Sequence, residues 1–447
     1  MPFQSVKGTR DFYPDEMALR NWLVGTWREV SIRNGFVEYD GPVLEYLDLF
    51  RVKSGDEIVS QLFSLTDRGG RELALRPEIT PTLARMVNAR INSLPRPIKW
   101  FSIPRLFRAE NPQRGRLREF LQWNVDVIGG RLGEEAEMAD AECIFTCVDF
   151  LREVGLAPSD VVVRIGSRPL TMATLAAVGV ASEKMDAALA VLDKREKVPP
   201  EAFAEMAAGV GIDAAGLTKV CAFQDATDLK AVGALLGSGE EVAEDIRKLE
   251  AVLGYLELMG AGEYCRLDLR IVRGLAYYTG VVYEVFDAAG ELRAIAGGGR
   301  YDNLLEVLGG PAVGATGFGM GDPVVSILLD QKGKLPDFAA RLDCFFIDEA
   351  EELFGQVLGE VGSLRQRGLS VGYSPRRQSV GKQLKQANRA NAKYAAILKD
   401  EGEKVALKDL ASGRQVELSR ADFLRMCGID REKTLENWAD RIEAEEL

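Results

Sequence analysis

Histidine is absent from all 447 residues. Its absence excludes a Ser-His-Asp triad, a Cys-His dyad and any metal site built on imidazole. Chemistry in this chain must therefore rest on carboxylates, guanidinium groups, hydroxyls or bound metal. The six cysteines (Cys143, Cys147, Cys221, Cys265, Cys344 and Cys427) show no C-x-x-C spacing. That scatter suits free thiols in a reducing compartment and argues against a disulfide frame or a zinc site. No apolar run approaches the roughly 18 residues of a membrane span, and no apolar stretch of a secretory signal follows Met1-Pro-Phe-Gln-Ser-Val-Lys7. The expectation is a cytoplasmic protein without a membrane partner.

What the chain does contain is ample core material, 47% apolar and 28% charged residues, and at roughly 100–200 residues per domain it predicts two to four domains. Residues 1 to about 165 are mixed and rich in arginine and aromatics, with alternating, strand-like runs such as Lys99–Arg108. From about 168 to 262 the texture turns alanine-rich, with helical spacing in Met185–Leu192, Ala202–Ala208 and Val242–Leu258, punctuated by Pro199-Pro200 and by Gly-rich turns. Strand-like, glycine-rich sequence returns from Tyr264 to Leu329. The outline is a sheet domain, 1–330, interrupted by a helical insertion. A linker at 331–340 leads to strands alternating with helices over 341–425, the pattern of a small α/β domain with a largely parallel sheet. Residues 426–447 read as an acidic helical tail.

Net charge is −12, yet positive charge is concentrated. Ser363–Lys393 holds eight basic residues (Arg365, Arg367, Arg376, Arg377, Lys382, Lys385, Arg389 and Lys393) and no acidic one. A solvated helix face usually mixes both signs, so this stretch reads as a landing surface for a polyanion. A second cluster, Arg105, Arg108, Arg114, Arg116 and Arg118, falls in a predicted hairpin. In its second strand, period two places Arg116, Arg118, Phe120, Gln122, Asn124 and Asp126 on one face, while Leu117, Leu121, Trp123, Val125 and Val127 fall on the other. Arg108 and Glu110 share a face of the preceding strand. Guanidinium groups for phosphates beside an aromatic for a purine suggest nucleotide binding.

Phe107-Arg-Ala-Glu-Asn-Pro-Gln-Arg-Gly-Arg-Leu-Arg-Glu-Phe120 resembles the second signature motif of the class II aminoacyl-tRNA synthetases. Lys7-Gly-Thr-Arg-Asp-Phe12, Ala74-Leu-Arg-Pro-Glu-Ile-Thr80, Val272-Arg-Gly-Leu-Ala-Tyr-Tyr-Thr279 and Ala296-Gly-Gly-Gly-Arg-Tyr-Asp302 extend the resemblance over nearly the whole chain and point to the histidyl branch. It implies an α/β (α+β) fold: an antiparallel catalytic sheet of six or seven strands with the helical insertion, plus a C-terminal α/β anticodon-binding domain. It also implies ATP with Mg2+, histidine and tRNA(His) as partners, no protein-built metal site, and a homodimer formed through the region of Gly41-Pro-Val-Leu44. Carried over by resemblance, Arg108 holds the α-phosphate, Arg116 the terminal phosphates, Phe120 stacks on adenine and Glu110 meets its edge. Glu78, Thr80 and Gln122 match the grip on the ammonium group, Asp126 and Tyr278 the contacts to the imidazole, and Arg273 the arginine that stabilises charge at the α-phosphate. Gln113 and Arg114 at the hairpin loop, with Arg376, Arg377, Lys382 and Lys385, fall where tRNA is met.

Two positions depart from the family pattern. Ala276 stands where an acidic residue is common. Gly321-Asp-Pro-Val-Val325 ends the third motif, putting Val324 at the place of a phosphate-binding arginine. Either another arginine substitutes, with Arg293 and Arg300 nearest in sequence, or the site works with fewer. The rival reading is a catalytically silent, synthetase-like regulatory subunit of histidine biosynthesis. Against it stand the C-terminal domain and the joint presence of Arg108, Arg116, Arg273, Glu78, Thr80, Gln122 and Asp126. A synthetase for proline or threonine gives no reason for Asp126.

Overall fold

In the computed structural model, which describes residues 3–51, 62–129, 134–237, 239–272, 278–338, 342–376, 378–428 and 430–444, the chain divides into two units, Met1–Leu335 and Pro336–Leu447. The division falls inside the linker expected at 331–340. In chain order the first unit's strands are β1 (Val37–Glu38), β2 (Leu44–Tyr46), β3 (Ser64–Thr66), β4 (Glu72–Leu75), β5 (Ile98–Ser102), β6 (Arg105–Phe107), β7 (Glu119–Ile128), β8 (Val161–Ser167), β9 (Cys265–Leu267), β10 (Val281–Asp287), β11 (Ala296–Arg300) and β12 (Ala315–Gly321). Nine of them form one sheet in the order β1-β5-β7-β12-β11-β10-β8-β9, with β6 paired to β7. Its six central strands are antiparallel throughout. The additions beyond the six are short: β1 and β9 join the two edges in parallel, and β6 pairs with the start of β7. Strands β2, β4 and β3 make a separate small antiparallel sheet.

The alternation read in β7 is realised because one face is sealed. Leu121, Trp123, Val125 and Val127 are buried with Phe318 and Met320 of β12, beneath Trp27 and Val30 of the Pro14–Arg33 helix and Phe150 of the Glu134–Glu153 helix. Trp123 meets Phe318 edge-on at 4.9 Å between centroids, and its indole N–H donates to Ser31 Oγ at 2.8 Å. A buried indole needs that partner, since leaving its N–H unsatisfied costs about 1–3 kcal/mol. The opposite face of β7 is thereby left for polar groups.

The insertion contains the helices Arg168–Ala177, Met185–Leu192, Pro200–Gly209, Ala214–Gln224, Leu229–Leu236 and Glu240–Leu258. Asp213 and Asp228 cap two of them, accepting from Gly216 N–H and Ala231 N–H, as short polar residues do at helix starts. Leu175, Leu189, Leu192, Phe203, Ile212 and Val220 share a core of their own. Leu170, Leu249, Val252 and Leu256 join the main core instead, so the insertion is tied to the sheet. No single helix among the described residues is long and apolar enough to cross a membrane.

The second unit carries β13 (Leu342–Asp348), β14 (Val371–Tyr373), β15 (Ala392–Lys399), β16 (Lys404–Asp409) and β17 (Gln415–Ser419) in the order β14-β13-β15-β16-β17. The first three are parallel, as their alternation with the helices Phe354–Gln366 and Val380–Arg389 predicts. Strands β16 and β17, not anticipated from the sequence, extend the sheet in antiparallel fashion. The segment read as a tail forms the helix Arg431–Glu443 and belongs to this core. Trp438 is fully buried, stacking on Phe423 and meeting Tyr394 edge-on, and Arg431 pairs with Asp343 at 2.7 Å.

Candidate active site

On the polar face of the large sheet lie two adjoining cavities. One, of about 480 Å³, is lined by Glu78, Thr80, Asn124, Asp126, Tyr278 and Tyr301. The other, of about 770 Å³, is lined by Glu110, Arg116, Phe120, Arg293, Pro323 and Val324. Arg108, Gln122, Gly297 and Gly319 border both. A molecule spanning the two would pass Arg108.

The smaller cavity exists because β12 offers it no side chains. Gly317 pairs with Asp126, Gly319 with Asn124 and Gly321 with Gln122. A Cβ on Gly317 would come within 2.5 Å of Asp126 Oδ1, and one on Gly319 within 2.8 Å of the Gln122 amide. Asp126 is 2% exposed and accepts a short hydrogen bond from the Tyr301 hydroxyl. Burial, with the Asp126 charge added, pushes the nearby Tyr39 hydroxyl well above its ordinary pKa, so that group stays protonated. The cavity thus sets the buried Asp126 carboxyl beside the Tyr278 and Tyr301 phenols, an acceptor fitted to a donor N–H. Glu78 is buried, and Thr80 opens the Thr80–Arg90 helix. With Gln122 they supply acceptors for a cation.

In the larger cavity Arg108 is fixed by its Nε donating to Pro77 O at 3.1 Å, and its guanidinium lies over the Phe120 ring at 5.2 Å. The Arg116 Nε donates to Glu110 in a close pair. Burial, then repulsion from Arg293 and Arg108, lowers the Arg116 pKa. Like charges held together in an open cleft favour a polyanion. Beneath them, Asp322 accepts from Arg10 at 2.6 Å and from Leu121 N–H at 2.8 Å. These contacts anchor the Asp322–Gln331 helix to the strand and to the Lys7–Phe12 segment.

Of the residues singled out from sequence, Glu110, Arg116 and Phe120 thus line one cavity, Glu78, Thr80, Asp126 and Tyr278 the other, and Arg108 and Gln122 both. Arg273 and Arg377 lie outside the described residues. Gln113 and Arg114 are exposed at the hairpin tip, and Arg376, Lys382 and Lys385 are exposed on the second unit. Arg365 and Arg367 of the same basic stretch hold the backbone instead, donating to Val371 O and Cys427 O. Arg300, considered as a substitute phosphate ligand, is unavailable: it is paired with Asp140 and Asp302, each at 3.0 Å. Although burial opposes its charge, those two carboxylates raise its pKa. Tyr301 and Asn124, to which the resemblance assigns no role, also line the smaller cavity.

A family profile described as Histidyl-tRNA synthetase matches residues 8–321, and one described as Anticodon binding domain matches residues 344–427. The chain is 42% identical to Histidine--tRNA ligase of Opitutus terrae, over 95% of this chain and 98% of that one. It is 38% identical to the chloroplastic/mitochondrial Histidine--tRNA ligase of Arabidopsis thaliana, over 93% and 85%. Among solved structures, histidyl-tRNA synthetase from Nostoc sp. PCC 7120 superposes with a TM-score of 0.81 at 25% identity, over 95% of this chain and 98% of that one. An ATP phosphoribosyltransferase regulatory subunit/histidyl-tRNA synthetase from Bacillus halodurans C superposes at 0.72 over 87% of this chain and 97% of that one. At 23% identity that likeness shows the fold alone. With one profile spanning most of the first unit and relatives matching nearly end to end, the chain belongs to the histidyl-tRNA synthetase family.

Proposed function

We propose that the paired cavities activate histidine with ATP and that the chain then transfers it to tRNA(His), as a histidine–tRNA ligase. The observation that carries this reading is the buried Asp126 carboxylate in a small polar cavity that opens, past Arg108, into an arginine-lined one. An imidazole N–H donates to Asp126, with Tyr278 beside the ring, while Glu78, Thr80 and Gln122 hold the ammonium group. That pose directs the histidine carboxylate toward Arg108. Phe120 stacks on adenine and Glu110 meets its edge.

The histidine carboxylate oxygen attacks the α-phosphorus, the bond to pyrophosphate breaks, and histidyl-adenylate remains. Negative charge builds on the α-phosphate oxygens as this happens. The guanidinium of Arg108, held by Pro77 O, and that of Arg273, assigned by resemblance, offset this charge and lower the barrier. Arg116 holds the terminal phosphates, and Mg2+ enters with the nucleotide. In the second step a hydroxyl of the terminal ribose attacks the activated carbonyl and AMP leaves. Neither step needs an imidazole from the protein.

Gln113 and Arg114 face the acceptor end of the tRNA. Arg376, Arg377, Lys382 and Lys385 supply phosphate contacts on the anticodon-binding domain. The side chains of Leu44, Tyr46 and Leu65, 42–57% exposed on the small sheet, support a homodimer through that face. The setting is the cytoplasm. Charging of a total tRNA pool with labelled histidine tests the proposal: histidyl-tRNA should accumulate, and a folded protein that yields none refutes it. The regulatory reading rests on Val324 alone, and the anticodon-binding domain argues against it.

A further inference from the structure

The larger cavity is positive on one side and apolar on another. Its apolar side comes from Pro323 and Val324 at the start of the Asp322–Gln331 helix. No side chain of Asp322, Pro323, Val324 or Val325 on that first turn offers a donor to a phosphate. The Asp322 carboxyl is already occupied by Arg10 and the Leu121 N–H. Val324 packs under the hairpin loop, where a Cβ on Gly115 would meet its Cγ2 at 3.1 Å. Arg300 is held by Asp140 and Asp302.

Arg293, between β10 and β11, lines the same cavity. It is exposed and makes no ion pair with any described residue. Its charge nonetheless lies close enough to Arg116 to act on it. Arg108, Arg116 and Arg293 therefore bring three guanidinium groups to one cleft, where Arg116 is paired with Glu110. An arginine that repels Arg116 and has no ion pair among the described residues gains no charge pairing from the fold. Its position makes sense once an anion of several charges bridges the group.

We propose that Arg293 is a ligand of the terminal phosphates of ATP, reaching them from the segment ahead of β11 and supplying the guanidinium that the Asp322–Gln331 helix does not. The proposal rests on reading this cavity as the ATP site. The test is ATP–pyrophosphate exchange by the full-length protein as wild type, Arg293→Ala, Arg293→Lys, Arg116→Ala and the double variant Arg293→Ala/Val324→Arg. Loss of a charge-assisted phosphate contact should raise the KM for ATP about tenfold or more in Arg293→Ala. The KM for histidine should move less than about twofold and the melting temperature should hold, because the side chain is exposed. Lysine should restore part of the loss, keeping charge without the planar fork. Arginine at 324 should restore part of it from the other wall. A wild-type KM for ATP and wild-type kcat in Arg293→Ala, with Arg116→Ala impaired, overturns the role of Arg293 and leaves the ATP site standing. Wild-type behaviour in both overturns the ATP site itself.

Discussion

Replacing Asp126 with asparagine removes a charge while keeping shape, which makes it the sharpest probe of amino-acid recognition. Asp126 is 2% exposed, and its Oδ1 accepts from the Tyr301 hydroxyl. An asparagine carbonyl placed there still accepts that bond, and Gly317 leaves the facing wall bare, so the fold should survive within about 1 kcal/mol. What disappears is the charge on the acceptor that meets the imidazole N–H. Hydrogen bonds to charged groups contribute about 1.5–3 kcal/mol, which corresponds to about 10- to 150-fold in kcat/KM for histidine. The KM for ATP should stay within about twofold, since the nucleotide occupies the neighbouring cavity. Exchange kinetics with each substrate varied in turn, alongside thermal melting, separate the two effects. A loss of equal size for histidine and ATP would refute the reasoning, because Asp126 would then be holding the sheet together and not reading a ring.

Other expectations follow from the same geometry. Gly317→Ala puts a methyl within 2.5 Å of Asp126 Oδ1, so histidine-dependent exchange should fall by more than about tenfold; unchanged exchange would show that β12 yields readily. Neutralising Arg376, Arg377, Lys382 and Lys385 together should weaken tRNA binding and flatten its salt dependence while exchange stays intact. Equal tRNA affinity would make the basic stretch a solvated face. Trp438→Ala removes a fully buried ring from the second unit and should cost about 3–5 kcal/mol in denaturant unfolding, where a change under 1 kcal/mol would mean the last helix is dispensable.

The sequence was most legible where burial is one-sided. In β7 the alternation of Trp123, Val125 and Val127 with Gln122, Asn124 and Asp126 could be read directly, because a one-residue slip would invert core and site. In the insertion, spacing and breaks made Met185–Leu192, Pro200–Gly209 and Glu240–Leu258 readable, while the other three helices were not singled out. Strands β16 and β17 were hidden by charge: Lys404, Lys408, Asp409 and Glu417 obscure a short hairpin whose apolar positions are few. The last helix looked like a tail because its composition is acidic; Thr434, Trp438 and Ile442 form its buried face.

Within the site, two long-range partners, Tyr301 and Arg10, were missed. Tyr301 reaches Asp126 across 175 positions, and Arg10 reaches Asp322 across 312. No periodicity encodes such pairs. Arg293 and Arg300 looked equivalent in sequence, and only the carboxylates packed around Arg300 tell them apart. The thiols of Cys143, Cys147 and Cys344, raised by burial, are inert at neutral pH, in keeping with the reading of free, structural cysteines.

The most direct test of histidine activation is amino-acid-dependent ATP–pyrophosphate exchange by the purified, folded protein, with each of the twenty amino acids supplied separately. Exchange with histidine alone is the predicted result. No exchange with any of them, from a protein that melts cooperatively, would contradict the account and favour a silent regulatory subunit.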